Sequence, residues 1–149
     1  MTDRSRLQMF LHGGILLLIG SFLGVPFFVT LTEGGGEQAV QFWRSAHTGI
    51  TSAGVWVLAT GAASLLLKLT ERTGWLLAWS TIGSNYAVLA VLLIKAVAGE
   101  HDATRVALFG PAYAFYVLAG AIAAILAFVS VVVLMIGAQA GLRHARRTN

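Results

Sequence analysis

Residues 106–142 read VALFGPAYAFYVLAGAIAAILAFVSVVVLMIGAQAGL and contain no Asp, Glu, Lys or Arg. Three further stretches without these residues cover 7–32, 45–67 and 73–94. Each stretch exceeds the roughly 20 residues with which an α-helix crosses a hydrocarbon core of about 30 Å. Backbone groups in lipid must be hydrogen-bonded internally, and these stretches lack the alternating pattern of barrel strands. We therefore predict an all-α membrane bundle of four transmembrane helices, near residues 7–31, 46–68, 74–97 and 107–138.

The composition agrees with a membrane domain. Of the 149 residues, 57% are hydrophobic and 11% are charged, whereas a soluble domain has about 25% charged residues. This composition excludes disorder and argues against a water-soluble monomer. The absence of cysteine excludes disulfides, iron–sulfur clusters, thiolate-ligated haem and cysteine zinc sites. No P-loop, dinucleotide fingerprint or helix-borne histidine pair occurs in the sequence. We treat residues 1–149 as a single transmembrane domain.

The Lys and Arg residues predict the orientation of the bundle. Seven of the ten lie in segments that share one side of a four-helix topology: Arg4, Arg6, Lys68, Arg72, Arg143, Arg146 and Arg147. The positive-inside rule places this side, with both termini, in the cytoplasm. We expect the inner membrane of a bacterium as the location. Because the basic residues flank apolar runs and form no aromatic-interleaved patch, we expect membrane lipid as their partner and no nucleic acid.

Short connections join the predicted helices. We expect an outer turn over residues 33–37, a tight inner turn over 71–74 and an outer loop over 98–105. The tail after Leu142 is predicted to be a solvated basic anchor.

Small residues four apart occur on two predicted helices, as Gly20 with Gly24 and as Gly120 with Ala124. They let helix backbones approach, although small residues are common in any bundle. Four short helices enclose little space, so a buried cofactor would more easily lie where subunits meet. This consideration favours an oligomer.

Ionisable side chains inside membrane spans are costly and indicate functional sites. The predicted spans contain His12 near the start of the first helix and His47 near the start of the second. Because neighbouring helices run antiparallel, the two histidines lie on the order of 20 Å apart in depth and cannot share one metal ion. A single axial histidine on a haem with an open face remains possible. The alternatives are an interfacial His47 bonded to a backbone carbonyl and a His12 that forms a packing hydrogen bond.

Two further groups of polar side chains lie in or beside the spans. Asn85 carries an amide that needs partners for two donors and an acceptor. The residues alone favour an interhelical hydrogen bond for it over a role in orienting a substrate. Trp43, Trp75 and Trp79 fit the aromatic belts at the membrane–water interfaces.

Five segments resemble one family of membrane proteins. Residues 42–49, FWRSAHTG, resemble the Trp-x-Arg-Ala-His-x-Gly segment that opens the second helix of styrene oxide isomerases, and the related hydroxylaminobenzene mutases have a similar segment. His12-Gly13 and Ser84-Asn85 are similar to the His-Gly of the first helix and the Ala-Asn of the third helix in these proteins. Residues 110–113, GPAY, resemble the Ala-Pro-Ala-Tyr that opens the isomerases' fourth helix, and residues 141–143, GLR, resemble the mutases' ending. The resemblance covers nearly the whole chain in order.

This resemblance implies a homotrimer that binds haem b between its subunits, with His47 as the axial iron ligand. Trp43 and Arg44, in the same motif, are then expected to contact the haem. In the isomerases, ferric haem acts as a Lewis acid on an epoxide, which rearranges to an aldehyde by a 1,2-hydride shift. The resemblance thus implies an isomerase for a small hydrophobic aromatic epoxide. Asn85 is expected to be a catalytic residue that orients the substrate.

Two positions differ from the isomerase pattern. Ala53 stands where the isomerases have an Asn six residues after the axial histidine, and Leu89 where they have a Tyr four residues after the helix-three Asn. Those polar groups orient the substrate in the isomerases. Tyr86 lies three residues before Leu89, on a nearby helix face, and is our catalytic candidate for the missing hydroxyl.

These differences leave three other functions open. The first is intramolecular hydroxyl transfer within an aryl hydroxylamine, as in the mutases. The second is a non-catalytic haem protein that senses gas or transfers electrons. The third is a structural membrane protein without a cofactor.

Overall fold

Four long helices make up the structure, a computed structural model that describes residues 1–97 and 111–148. They are α1 (Asp3–Thr32), α2 (Glu37–Ala63), α3 (Glu71–Val97) and α4 (Pro111–Thr148). No strand occurs within the described ranges, so the predicted all-α fold with four helices is confirmed. By length and composition, α1, α3 and α4 can each cross a membrane. A fourth crossing, by α2, stays a prediction, since this helix carries several polar side chains in its central turns.

The helices form two antiparallel pairs. Helix α1 lies along α2, and α3 lies along α4, while the α2–α3 and α1–α3 contacts join the pairs. In the second pair, the Thr81 hydroxyl donates a hydrogen bond to the hydroxyl of Ser130 at 3.3 Å. One end of the bundle therefore holds the beginnings of α1 and α3 together with the ends of α2 and α4. We call it the N-terminal end; whether it faces the cytoplasm stays a prediction.

Glycines set the close packing of α1 on α2. A Cβ built on Gly54 would lie 2.8 Å from the backbone nitrogen of Leu17 and 2.9 Å from the carbonyl oxygen of Gly13. Backbone atoms of this kind cannot move aside without a shift of the whole helix. Membrane helices associate through such close backbone contacts because lipid provides no hydrophobic drive between them. The glycines of α1 and α2 thus hold the first helix pair together.

The predicted bounds of the second helix are wrong at both ends. Helix α2 begins at Glu37, well before residue 46, and ends at Ala63, before residue 68. A charge-free stretch marks the part of a helix that suits lipid, but helical hydrogen bonding continues through charged residues in the interface. The helix ends where the Ser64 hydroxyl donates to the Gly61 carbonyl at 2.6 Å, which closes the last turn locally.

The predicted inner turn over 71–74 is also wrong, because those residues form the first turn of α3. The connection consists of residues 64–70 instead. At its end the Thr70 hydroxyl accepts a hydrogen bond from the backbone N–H of Thr73 at 3.2 Å, as an N-cap does. The predicted outer turn over 33–37 matches the break between α1 and α2. The predicted loop over 98–105 and the predicted start of the fourth helix at 107 lie outside the described residues.

Helix α4 extends through the predicted tail. It continues to Thr148, past the expected end at residue 138 and past Leu142. At about 1.5 Å per residue, a helix of 38 residues spans roughly 57 Å, more than a hydrocarbon core. A helix of this length extends beyond the apolar layer. Its last turns stay helical because Ala, Leu and Arg are strong helix formers.

Candidate functional site

His47 is fixed against α1 by a hydrogen bond to the backbone. Its Nδ1 lies 2.8 Å from the carbonyl oxygen of Gly20. A carbonyl oxygen can only accept, so Nδ1 carries the hydrogen, and in the neutral ring Nε2 holds the lone pair. Histidines that bind metals commonly donate their other ring nitrogen to a carbonyl in this way. The bond also matches the alternative of an interfacial histidine, and both interpretations share this geometry.

Small and aromatic residues of α1 lie against the His47 ring. A Cβ built on Gly24 would lie 3.2 Å from Nδ1 and 3.3 Å from Cε1 of His47. The Phe27 ring is stacked on the imidazole, with 6.3 Å between centroids and 13° between planes. Gly20, Gly24 and Phe27 are spaced by four and three residues and share one helix face. Sequence reasoning noted the two glycines as a packing pair but missed their relation to His47.

Arg44 and Trp43 lie one turn before His47 on α2. The Arg44 guanidinium carbon is 5.8 Å from the centre of the Phe27 ring, so Phe27 lies near both this cation and the imidazole of His47. The half-buried Trp43 packs edge-on against Phe42 at 5.1 Å between centroids. Arg44 also lines a cleft of about 430 Å³ whose lining residues all belong to α2. Among the described residues, no other helix lines this cleft.

Tyr86 belongs to a second polar cluster, with His12 and Trp79, between α1 and α3. Asn85 precedes it on α3. The Tyr86 hydroxyl lies 3.1 Å from Nδ1 of His12, and the two rings meet edge to face. The Trp79 ring is 6.1 Å from the His12 ring. The Asn85 amide donates to the Thr81 carbonyl at 2.7 Å, within α3. His12 therefore takes part in a hydrogen bond between helices, as expected for a packing role, while the amide hydrogen bonds of Asn85 stay within its own helix.

The two clusters lie at different depths in one chain. His47 bonds Gly20 and Tyr86 bonds His12, eight residues earlier on α1. Eight residues correspond to about 12 Å along a helix axis. One chain thus brings Trp43 and Arg44 near His47, but it does not bring Asn85 and Tyr86 to the same level. In the described ranges, no group of three or more His, Asp or Glu side chains could hold a metal ion.

The two positions that differ from the isomerase pattern are buried among apolar neighbours. Ala53 is 7% exposed and belongs to the buried side of α2. Leu89 is also 7% exposed and belongs to the core cluster with Ile50 and Ile82. Neither position offers a polar group to a ligand in this chain.

A comparison with models of protein families gives a match that covers most of the chain. The family model for styrene oxide isomerase matches residues 5–145, which include both clusters, all of α2 and α3 and most of α1 and α4. The chain belongs to the styrene oxide isomerase family. Membership in this family supports an isomerase function in broad terms. A search of curated proteins found no match to this chain.

Proposed function

We propose that this member of the styrene oxide isomerase family is a membrane isomerase that rearranges a small aryl epoxide to an aldehyde. The reaction uses haem b, held by His47. The observation that carries the proposal is the family match over residues 5–145, which includes the segment 42–49 that contains His47. The hydrogen bond from Nδ1 of His47 to the Gly20 carbonyl at 2.8 Å is compatible with a haem ligand, because it fixes the ring and leaves the lone pair of Nε2 for iron.

The residues around His47 fit a haem ligand. Gly24 leaves the space that the imidazole occupies, since a Cβ there would approach the ring to 3.2 Å. The described residues offer no set of three acidic or histidine side chains for a metal ion. A metal at His47 therefore needs most of its ligands from another source, and the four nitrogens of a porphyrin meet this need.

The haem and the residues of the two clusters have separate roles in the proposed reaction. Bound ferric haem supplies a Lewis acid. The Gly20 carbonyl keeps the His47 ring in one tautomer and orientation. Phe27 stacks on the ring, with Arg44 beside Phe27. The apolar helices exclude water, which would otherwise hydrolyse an opened epoxide. Asn85 and Tyr86 are proposed to orient the aryl substrate through their polar side chains.

A homotrimer with haem at the subunit interfaces is part of the proposal. Among the described residues, the cleft beside Arg44 is lined by α2 alone, and a neighbouring subunit can supply a further wall. Because the axis of a membrane trimer runs along the membrane normal, each residue keeps its depth in every subunit. The neighbour therefore adds, at the level of His47, the groups that lie at this level in its own chain, and Tyr86 stays about 12 Å deeper. The many exposed large side chains of α1 and α4 provide apolar surface for such contacts.

One observation favours a second candidate, a non-catalytic haem protein. Ala53 and Leu89, where the isomerases have substrate-orienting polar groups, are buried and apolar. Such a protein would bind haem through the same His47 and would sense a gas or carry electrons. Its haem would reduce and reoxidise readily, whereas the isomerase needs only the ferric state.

The first experiment tests the haem site. The protein is purified after expression with added haem, and its absorption spectrum is recorded. We expect a Soret band for the wild type and for His12→Ala, and none for His47→Ala. A Soret band that survives in His47→Ala but disappears in His12→Ala would overturn the assignment of the ligand. A colourless wild type would remove the haem from the proposal.

The second experiment tests the reaction with the haem-loaded protein. We expect styrene oxide to give phenylacetaldehyde, detected by gas chromatography, and phenylhydroxylamine to remain unchanged. Conversion of phenylhydroxylamine alone would assign the mutase reaction. No product from either compound, together with reversible reduction of the haem, would favour the non-catalytic protein.

A further inference from the structure

A cleft of about 320 Å³ lies at the N-terminal end of the bundle, between the first turns of α1 and α3. Its lining includes one cation, Arg4, and one anion, Glu71. Neither forms an ion pair in the part of the chain that the structure describes, whereas nearby Arg6 is paired with Asp3 at 2.7 Å. A cation and an anion that share a cleft without meeting leave room for a molecule that carries both charges.

Two tryptophans form the α3 wall of this cleft. Trp75 and Trp79 are 56% and 41% exposed, and both line it. They follow Glu71 at intervals of four, so all three residues share one face of α3. Tryptophan is enriched where a membrane protein meets lipid headgroups, because its ring is apolar and its N–H can donate. The cleft therefore has the chemistry of the headgroup layer.

Its polar groups match a phosphate and an ammonium. The Arg4 guanidinium is a strong phosphate partner, and the Glu71 carboxylate accepts N–H bonds from a primary ammonium. Gln8, one turn after Arg4, adds an amide that can serve either group. Among the residues that line the cleft, the charges of Arg4 and Glu71 cancel. The lining itself therefore offers one partner to each charge of a zwitterionic headgroup, while the other basic residues at this end of the bundle lie outside the cleft.

The surroundings suit acyl chains below the headgroup. Leu7 and Leu11 on α1 are 66% and 57% exposed, and Leu76 on α3 is 40% exposed. They lie in the turns that border the cleft. From this geometry we infer that the cleft between Arg4 and Glu71 is a binding site for a phospholipid with an ethanolamine headgroup.

The lipid adds a connection between α1 and α3 at an end where Met1 already packs against Gly74 and its ammonium donates to the Leu69 carbonyl at 3.1 Å. Direct contact between α1 and α3 is the smallest among the helix pairs that meet. Arg4 binds the phosphate from α1, and Glu71 binds the ammonium from α3. The headgroup thus connects the two helix pairs at this end of the bundle, independently of any haem at His47.

The experiment measures lipid retention by native mass spectrometry. The full-length protein in mild detergent is mixed with equal amounts of phosphatidylethanolamine, phosphatidylcholine and phosphatidylglycerol. We expect wild-type protein to retain the ethanolamine lipid preferentially. Arg4→Gln and Glu71→Gln should each lower its retention about fivefold, the effect of one interfacial charge contact. Arg4→Lys should preserve most of it, since the phosphate still meets a cation.

Arg143→Gln is the matched control, because Arg143 is an exposed cation near the same end of the bundle, on α4. It should leave retention unchanged. Equal retention of the three lipids by the wild type would overturn the inference, and so would an equal loss in Arg143→Gln. Retention of phosphatidylcholine as strong as that of phosphatidylethanolamine would overturn the role of Glu71, because a trimethylammonium has no N–H to donate. Circular dichroism checks that each variant keeps its helices.

Discussion

At the scale of single residues, Gly24 leaves the space in which the His47 ring lies. Its Cβ, if present, would lie 3.2 Å from Nδ1 of the imidazole. We predict that Gly24→Ala shifts the ring by a few tenths of an ångström against the Gly20 carbonyl. This shift weakens the orienting hydrogen bond and should lower haem affinity by about tenfold. The measurement is haem titration followed by the Soret band. Gly14→Ala is the control, because a Cβ at Gly14 meets nothing within 4 Å. Equal affinity in both variants would contradict the role of Gly24.

A second single-residue prediction concerns the hydrogen bond of the Tyr86 hydroxyl. The hydroxyl lies 3.1 Å from Nδ1 of His12 and links α1 to α3. We predict that Tyr86→Phe lowers the free energy of unfolding by about 0.6 kcal/mol, and by no more than about 1.7 kcal/mol, the range measured for hydrogen bonds between membrane helices. Thermal unfolding in detergent measures this change.

Tyr116→Phe is the comparison, since it keeps the ring that lies 5.5 Å from the Lys95 ammonium and removes only a hydroxyl. Its stability should equal that of the wild type. If Tyr86 also orients the substrate, Tyr86→Phe will lower the rate of epoxide conversion at full haem occupancy. A variant with normal stability and normal rate would leave Tyr86 with neither role.

At the scale of the helices, the contact of α1 with α2 depends on glycine. A Cβ on Gly54 would meet two backbone atoms of α1, at 2.8 and 2.9 Å. Since backbone cannot rotate away as a side chain does, we predict that Gly54→Ala costs about 1–3 kcal/mol of stability, the range for overpacking. Thermal unfolding again provides the measurement. Gly120→Ala on α4, where a Cβ meets nothing within 4 Å, should be neutral, and a similar loss there would contradict the argument.

The sequence predicts the existence of these helices better than their ends. Charge-free stretches reveal the number of helices, because charges are expelled from lipid. They fail at residues 37–45 and after Leu142, where helices continue through charged residues in the interface. Hydrogen bonding and helix propensity, which hydropathy does not register, set these ends.

The candidate site could also be predicted only in part from the sequence. His47 could be selected from the sequence, because an ionisable residue near a membrane span is rare and costly. A backbone carbonyl was one predicted alternative for its partner, but Gly20 could not be identified, because no side chain in the sequence marks a carbonyl acceptor. A packing hydrogen bond was also predicted for His12. Its partner Tyr86 was not, because the contact depends on how two helices far apart in sequence are rotated toward each other.

The orientation of the whole molecule in the membrane can be tested with single cysteines, since the chain has none of its own. Gly36→Cys introduces a thiol between α1 and α2, and Arg146→Cys introduces one near the end of α4, at the opposite end of the bundle. From the positive-inside rule, we predict that an impermeant maleimide labels Gly36→Cys in intact spheroplasts. It should label Arg146→Cys only after permeabilisation. The reverse pattern would invert the orientation, and labelling of both in intact spheroplasts would contradict a spanning bundle.

Assembly is the remaining question for the whole molecule. Leu18, Phe22 and Val25 are 58%, 66% and 60% exposed and follow one face of α1. Their spacing of four and three residues makes a continuous apolar stripe that either lipid or another subunit can cover. Among the described residues, α2 alone lines the cleft beside Arg44, and we predict that a neighbouring subunit covers this region. The family resemblance makes a trimer the expected assembly. Native mass spectrometry should then give three times the chain mass of 15.8 kDa, with haem bound. The His47→Ala variant separates assembly from haem binding, since it should lose the haem mass while its oligomeric state is recorded in the same spectrum. A monomer that retains haem would contradict a site built between subunits.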